Sequence, residues 1–362
     1  MATARTPRET AASGTTRPKS ARGGGGRGAD GQRGHRGHPK RNVLITGVSS
    51  TVGRHLAMHL AADPRVGFVL GTAPGPRPRF LAPLDPARFL YIPTDILRPR
   101  QVRDLFHRPE FTEHGIDTVV HLAFVSHPNL RGRKVHRLNV EGTKGLLDRC
   151  MESGRVRKFV FKSSDAVYKL DPTTPVYLDE NADLNHDPLA DQWIQDRVAA
   201  EMICRSRMDS QGMDVVILRF ASIVGRNVGG QMNAYFDGRV VFRAMGYDPL
   251  LNLVHMKDVI EAIRLAIVTD TGSGIFNIAG ADTATVSTFA EMNGRRCIAL
   301  PDPLLEFVNR AMRRVGLTDY YYSVDRDRMR YTCLLDTTRA TRILGYQPTR
   351  TIEFAEYRGL EG

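Results

Sequence analysis

The segment from Asn42 to Gly53 constrains the fold more than any other part of the chain. It reads Asn42-Val43-Leu44-Ile45-Thr46-Gly47-Val48-Ser49-Ser50-Thr51-Val52-Gly53 and runs on into Arg54-His55-Leu56-Ala57. A short apolar run gives way to small residues and then to helix formers, the pattern of a buried strand, a tight turn and a helix start. Glycine at 47 permits a sharp turn out of the strand, and glycine at 53 permits close packing of the helix on the sheet. Backbone N–H groups at such a helix start, with the positive end of the helix dipole behind them, suit a pyrophosphate. The spacing departs from G-x-G-x-x-G, because the middle position, often glycine, is Ser50.

Beyond Asn42 the patterns alternate. Strands are expected over Val43–Thr46, Val66–Leu70, Phe89–Ile92, Asp117–Leu122, Lys158–Phe161 and Asp214–Phe220. Helices are expected over Val52–Ala62, Arg100–Phe106, Leu138–Glu152 and Leu189–Gln211. Such alternation predicts an α/β fold, a doubly wound parallel (Rossmann) sheet with helices on both faces. Past Phe220 the pattern breaks into a glycine-rich, irregular stretch, Gly225–Gly246. Leu251–Val254 and Met256–Thr269 are expected to return a strand and a helix to the sheet, and Ile275–Ile278 forms a further short strand. The expected division is a disordered tail over 1–41, a Rossmann domain over 42–268 that lends 222–250 to a smaller lobe, and a C-terminal substrate lobe over 269–362.

The formal net charge is +12, but it is concentrated. Residues 1–42 hold ten Lys and Arg against Glu9 and Asp30, a charge of +8, which leaves +4 for the rest. The tail is rich in Gly, Arg, Ser, Thr and Pro and nearly free of large apolar residues, so it cannot offset the entropy of ordering. Three roles stay open for it: an inert solubilising tail, a weak nucleic-acid contact through Arg-Gly segments, or a targeting segment. No apolar run approaches a bilayer span, and no secretory h-region stands near the N-terminus. Cys150, Cys204, Cys297 and Cys333 lie far apart without metal-ligand spacing. A cytoplasmic protein with neither a disulfide framework nor a metal site is therefore expected.

Further segments follow in order along the chain: Asp95-Ile96; Val119-Val120-His121-Leu122-Ala123-Phe124; Asn139-Val140-Glu141-Gly142-Thr143; Phe161-Lys162-Ser163-Ser164-Asp165-Ala166-Val167-Tyr168; Leu218-Arg219-Phe220; Leu253-Val254-His255-Met256-Lys257-Asp258; and Gly274-Ile275-Phe276-Asn277-Ile278-Ala279-Gly280. With Thr46-Gly47…Gly53 they resemble the extended short-chain dehydrogenase/reductase family, in its NAD-dependent epimerase/dehydratase branch. The resemblance covers about Asn42 to Pro348. It implies NAD or NADP as cofactor and a small-molecule substrate such as a nucleotide sugar. It also implies self-association through the two long helices. Gly47, Ser50, Thr51, Val52 and Gly53 would hold the pyrophosphate, Asp95 and Ile96 would meet the adenine, and Leu122 and Ala123 would line the cofactor. Ser164 matches the Ser/Thr that bonds a substrate hydroxyl or carbonyl. Ser164-Asp165 is similar to the Thr-Asp pair of sugar-nucleotide dehydratases, where the aspartate is an acid.

The chain departs from that family at two places. The usual Tyr-x-x-x-Lys is absent. Counting back from Glu201, the tyrosine position is Trp193 and the lysine position Arg197. Indole N–H is a donor without a useful titration, whereas Arg197 keeps a charge and a fork of donors able to hold ribose hydroxyls. The second strand also ends Leu70-Gly71-Thr72 without the acid that binds a ribose 2′-OH, and Arg77 and Arg79 follow. That tilts cofactor choice toward NADP. Two function classes remain: an NAD(P)-dependent epimerase, dehydratase or reductase with catalytic candidates Ser164, Asp165 and Arg197, and a catalytically silent dinucleotide sensor or scaffold, RNA-associated if the tail supplies affinity.

Overall fold

The computed structural model describes residues 40–210, 212–225 and 228–352. Nearly all of the basic tail, and with it the nucleic-acid and targeting roles, lies outside the described residues.

Seven parallel strands form the central sheet. They are β1 (Arg41–Thr46), β2 (Val66–Ala73), β3 (Phe89–Pro93), β4 (Thr118–His121), β5 (Lys158–Ser164), β6 (Asp214–Phe220) and β7 (Gly274–Ile278). Their order across the sheet is β7-β6-β5-β4-β1-β2-β3. The chain therefore reverses its winding direction between β1 and β4, and a crevice opens there at the carboxyl ends of the strands. Strand side chains alternate between the two faces. Val43 and Ile45 pack beneath α1 (Thr51–Ala62), while Leu44 packs on the opposite face beneath α2 (Pro99–His107), α3 (Thr143–Ser153) and α4 (Gln192–Arg205). The first face is completed by α5 (Met256–Val268). Leu44, Val43, Leu56 and Leu60 have no exposure at all, and each such burial contributes about 1.5–3 kcal/mol.

Several expected elements differ in detail. The helix expected over Leu189–Gln211 is the shorter α4. The Asp191 carboxylate accepts the Trp193 amide at 2.9 Å and starts the helix there, while Asp187 holds Leu189 in a preceding turn. The helix expected over Leu138–Glu152 begins earlier, at Arg133, and carries a π segment over Arg137–Gly142 before α3. Leu250–His255 does not rejoin the central sheet. It pairs with Ser222–Val224 and Thr283–Thr285 in a separate three-stranded sheet, because the chain leaves the main sheet after Phe220. The stretch expected to be irregular contains a helix, Gln231–Asp237, and a strand, Val240–Ala244. Conversely, Gly274–Ile278, assigned by the sequence to the C-terminal lobe, is an edge strand of the central sheet. The smaller lobe has its own core, with Tyr235, Phe236, Leu253, Phe289 and Tyr322 at its centre.

Candidate functional site

The turn after β1 is shaped by two glycines. Gly47 has φ +71°, and a Cβ there would stand 2.6 Å from the Ala123 nitrogen. A Cβ on Gly53 would stand 2.5 Å from the Gly47 carbonyl oxygen and 2.8 Å from Val48 Cα. Gly53 is thus required by the path of the loop itself, rather than by the sheet as its sequence position suggests. Ser50 caps α1, its Oγ accepting the Gly53 amide at 3.1 Å. Ser50, Thr51 and Val52 then line a cleft of about 360 Å³ at the positive end of the helix. This is a cradle of backbone that side chains would fill, and it fits an anionic group.

The same cleft is lined by Leu122, Lys162, Ser164, Asp165, Trp193, Arg197, Asp325 and Arg328, among others. Ser164 ends β5, and its hydroxyl donates to Asp165 Oδ1 at 3.0 Å. Asp165 is buried, and its Oδ2 is paired with Arg328, 163 residues later in the chain. Arg328 also lies 4.0 Å from Asp325 Oδ1. Burial raises the Asp325 carboxyl to about 6 against the pull of Arg328. Its Oδ2 has no hydrogen-bond partner among the described residues.

One turn of α4 places Trp193 and Arg197 on the same side. The Trp193 Nε1–H donates to the Ser126 carbonyl at 2.8 Å. The Arg197 guanidinium stacks over that indole and stands 5.2 Å from the Phe124 ring centre. Burial lowers Arg197 to about 9. Lys162, two residues before Ser164 and so on the same face of β5, is lowered to about 8 by burial and by the charge of Arg197.

Among the residues singled out from sequence, Ser50, Thr51, Val52, Leu122, Ser164, Asp165 and Arg197 therefore meet in one cleft, over Gly47 and Gly53. Asp95, Ile96 and Ala123 do not line it. Asp95 Oδ1 accepts the Leu97 amide at 3.0 Å, and its other oxygen lies 3.6 Å from Arg98. Ile96 packs against Gly142. Ala123 abuts Gly47. Arg77, one of the two arginines that follow the second strand, donates to the Leu81 carbonyl at 2.5 Å. Sequence reasoning missed Lys162, Asp325 and Arg328. A lysine directly after the apolar run Phe159–Phe161 was a visible signal; the C-terminal pair carried none.

Beneath the cleft lies a fully buried ion pair. Arg219 Nη2 donates to Glu201 Oε1 at 2.5 Å, and both side chains have no exposure. Arg219 Nη1 donates to the Tyr168 hydroxyl at 2.7 Å, which donates in turn to Asn277 Oδ1 at 2.7 Å. Burial pushes the Tyr168 hydroxyl well above its ordinary range. Tyr168 is a brace linking β5, β6 and β7, and its hydroxyl is committed there.

Residues 43–279 match the NAD dependent epimerase/dehydratase family, and the chain belongs to that family. An uncharacterized protein of Mycobacterium tuberculosis is 30% identical over 319 residues, covering 85% of this chain and 80% of its own length. A Bacillus subtilis protein described as an uncharacterized UDP-glucose epimerase is 25% identical, covering 70% of this chain and 83% of its own. Among solved structures, UDP-glucuronic acid 4-epimerase of Bacillus cereus superposes with a TM-score of 0.65 at 19% identity, over 88% of this chain and all of that one. The dTDP-glucose 4,6-dehydratase of Bacillus anthracis gives 0.64 at 14% identity, over 88% and 95%. At these identities the superpositions speak for the shared fold. No helix among the described residues is long and apolar enough to cross a membrane.

Proposed function

We propose that this chain is an NAD(P)-dependent epimerase, dehydratase or reductase acting on a sugar nucleotide or a related hydroxyl or carbonyl compound. The observation that carries this reading is the convergence of the Gly47–Gly53 cradle and the Ser164–Asp165 pair on one cleft at the carboxyl ends of the strands. Ser50, Thr51, Val52 and the backbone around Gly47 and Gly53 would hold the dinucleotide pyrophosphate. Leu122 would lie beside the cofactor, and Arg197 would hold its ribose. Asp95 and Ile96 would meet the adenine, Asp95 through the oxygen not engaged with the Leu97 amide. When bound, the nicotinamide supplies the hydride acceptor or donor.

The family positions of tyrosine and lysine are Trp193 and Arg197 in this reading. With its N–H held by the Ser126 carbonyl, the indole orients and does not transfer a proton. Proton movement falls to Ser164 and Asp165. The Ser164 hydroxyl meets the substrate hydroxyl, and Asp165, already accepting the Ser164 hydrogen, receives the proton behind it. Arg328 holds that carboxylate in place.

The commitment of the indole equally supports a second reading, a dinucleotide-binding sensor or scaffold without turnover. Association through the outer faces of α3 and α4 belongs to either reading and is checked by light scattering. The deciding experiment is to denature purified protein and identify any released dinucleotide by mass, then to incubate the protein with UDP-hexoses. Release of NAD or NADP with conversion of a sugar nucleotide upholds the enzyme. Dinucleotide binding with no conversion supports the sensor, and no affinity for NADH or NADPH overturns both.

A further inference from the structure

The charges lining the cleft do not balance. Lys162, Arg197 and Arg328 are set against Asp165 and Asp325, an excess of one positive charge. Both carboxylates face Arg328: Asp165 Oδ2 is bonded to its Nη1, and Asp325 Oδ1 lies 4.0 Å from its Nε. Neither is bonded to Lys162 or Arg197. Arg197 is only 7% exposed, and among the described residues its one hydrogen bond is from Nη1 to the Trp193 carbonyl at 3.1 Å. The Lys162 ammonium has only the Phe220 ring face, 6.0 Å away, for company among the described residues. Asp165 acts on both cations through space, and Asp325 and Asp196 on Arg197, but no carboxylate is hydrogen-bonded to either, and burial outweighs these charges in lowering both groups.

We infer that the substrate carries a carboxylate at its sugar end, received by Lys162 and the open side of the Arg197 fork. This rests on the cleft being a sugar-nucleotide site. A planar carboxylate matches the guanidinium fork and leaves an oxygen for the ammonium. Its single charge brings the cleft lining to neutrality, whereas a dianionic phosphate overshoots and a neutral hexose leaves both cations unpaired. The pyrophosphate has its own place on the backbone around Ser50–Val52 and does not need these side chains.

The test is calorimetric titration of the full chain with UDP-glucuronate and with UDP-glucose, which share every phosphate and differ in the carboxylate. UDP-glucuronate should bind at least about tenfold more tightly, the worth of a charge-assisted contact. Lys162→Met should collapse that ratio and Lys162→Arg should preserve it, with circular dichroism confirming that both variants fold. Equal affinity of the wild-type protein for the two ligands, or a preference for UDP-glucose, overturns the inference and leaves the sugar-nucleotide reading intact. Persistence of the ratio in a folded Lys162→Met variant also overturns it. If neither nucleotide binds while NAD does, the sugar-nucleotide reading fails first and this inference with it.

Discussion

The guanidinium carbon of Arg197 lies 3.8 Å from the centre of the Trp193 ring, one helical turn away. The two residues form a stacked pair at the positions that the proposed reading gives to the family's tyrosine and lysine. A cation over an indole face is worth about 0.5–2 kcal/mol, so the indole helps to hold the Arg197 guanidinium, and in the proposed reading it orients that fork without transferring a proton.

Trp193→Phe follows from this. The ring face is kept and only the N–H to the Ser126 carbonyl is lost. Once a substrate is in hand, kcat should fall far less than the roughly 10²–10⁴-fold typical of a lost general acid or base. A drop of that size in steady-state kinetics assigns the indole to the chemistry.

Gly53→Val should abolish dinucleotide binding. Its Cβ would press on the Gly47 carbonyl oxygen at 2.5 Å and distort the cradle from below. The overpacking cost is about 1–3 kcal/mol, so the far-ultraviolet circular dichroism should remain native. Retained NADH affinity in fluorescence titration means that the dinucleotide sits elsewhere.

Arg219→Met should destabilise the fold by about 3–5 kcal/mol, because it leaves the Glu201 carboxylate buried without its main partner. Urea unfolding measures this directly. A change below about 1 kcal/mol would show that Arg205 and Ser163, which also bond Glu201, suffice.

His121 should make the protein acid-sensitive. Its ring bonds Thr46 Oγ1 at 2.7 Å and Thr143 Oγ1 at 2.9 Å, and the Thr143 hydroxyl donates to the Asn139 carbonyl. Thr143 therefore accepts from Nε2–H, and Nδ1 accepts from Thr46, which assigns the neutral tautomer. Burial depresses His121 to about 3 from an ordinary 6.5. Between those values the unfolded chain binds more protons, so this contribution is whole above pH 6.5 and is lost as pH falls toward 3. Unfolding free energies at pH 7 and 4.5 should differ less in His121→Gln than in the wild-type protein.

The sheet was legible because its strands are buried on both faces and read as apolar runs, Val43–Ile45 and Val215–Leu218 among them. The cradle was legible because Gly47 and Gly53 answer to local sterics. The lobe was not, since short strands such as Ser222–Val224 are defined by pairing with Leu250–His255 and carry no period of their own. Asp325 and Arg328 were invisible for the same reason: their role depends on contact with Asp165 across 163 residues. At Asp95 a residue matched by position also serves as a local turn cap, a second role that the sequence match does not reveal.

The pairing of Asp165 with Arg328 has a consequence for how the protein is made. All seven strands have left the ribosome before Arg328 is translated. A nascent chain can thus complete its sheet and its glycine turn while the far wall of the cleft does not yet exist. Completion of the cleft around Asp165 is then a late event in synthesis, and ribosome-stalled chains ending before Arg328 are the species in which a folded sheet would be found with an open, unfinished cleft.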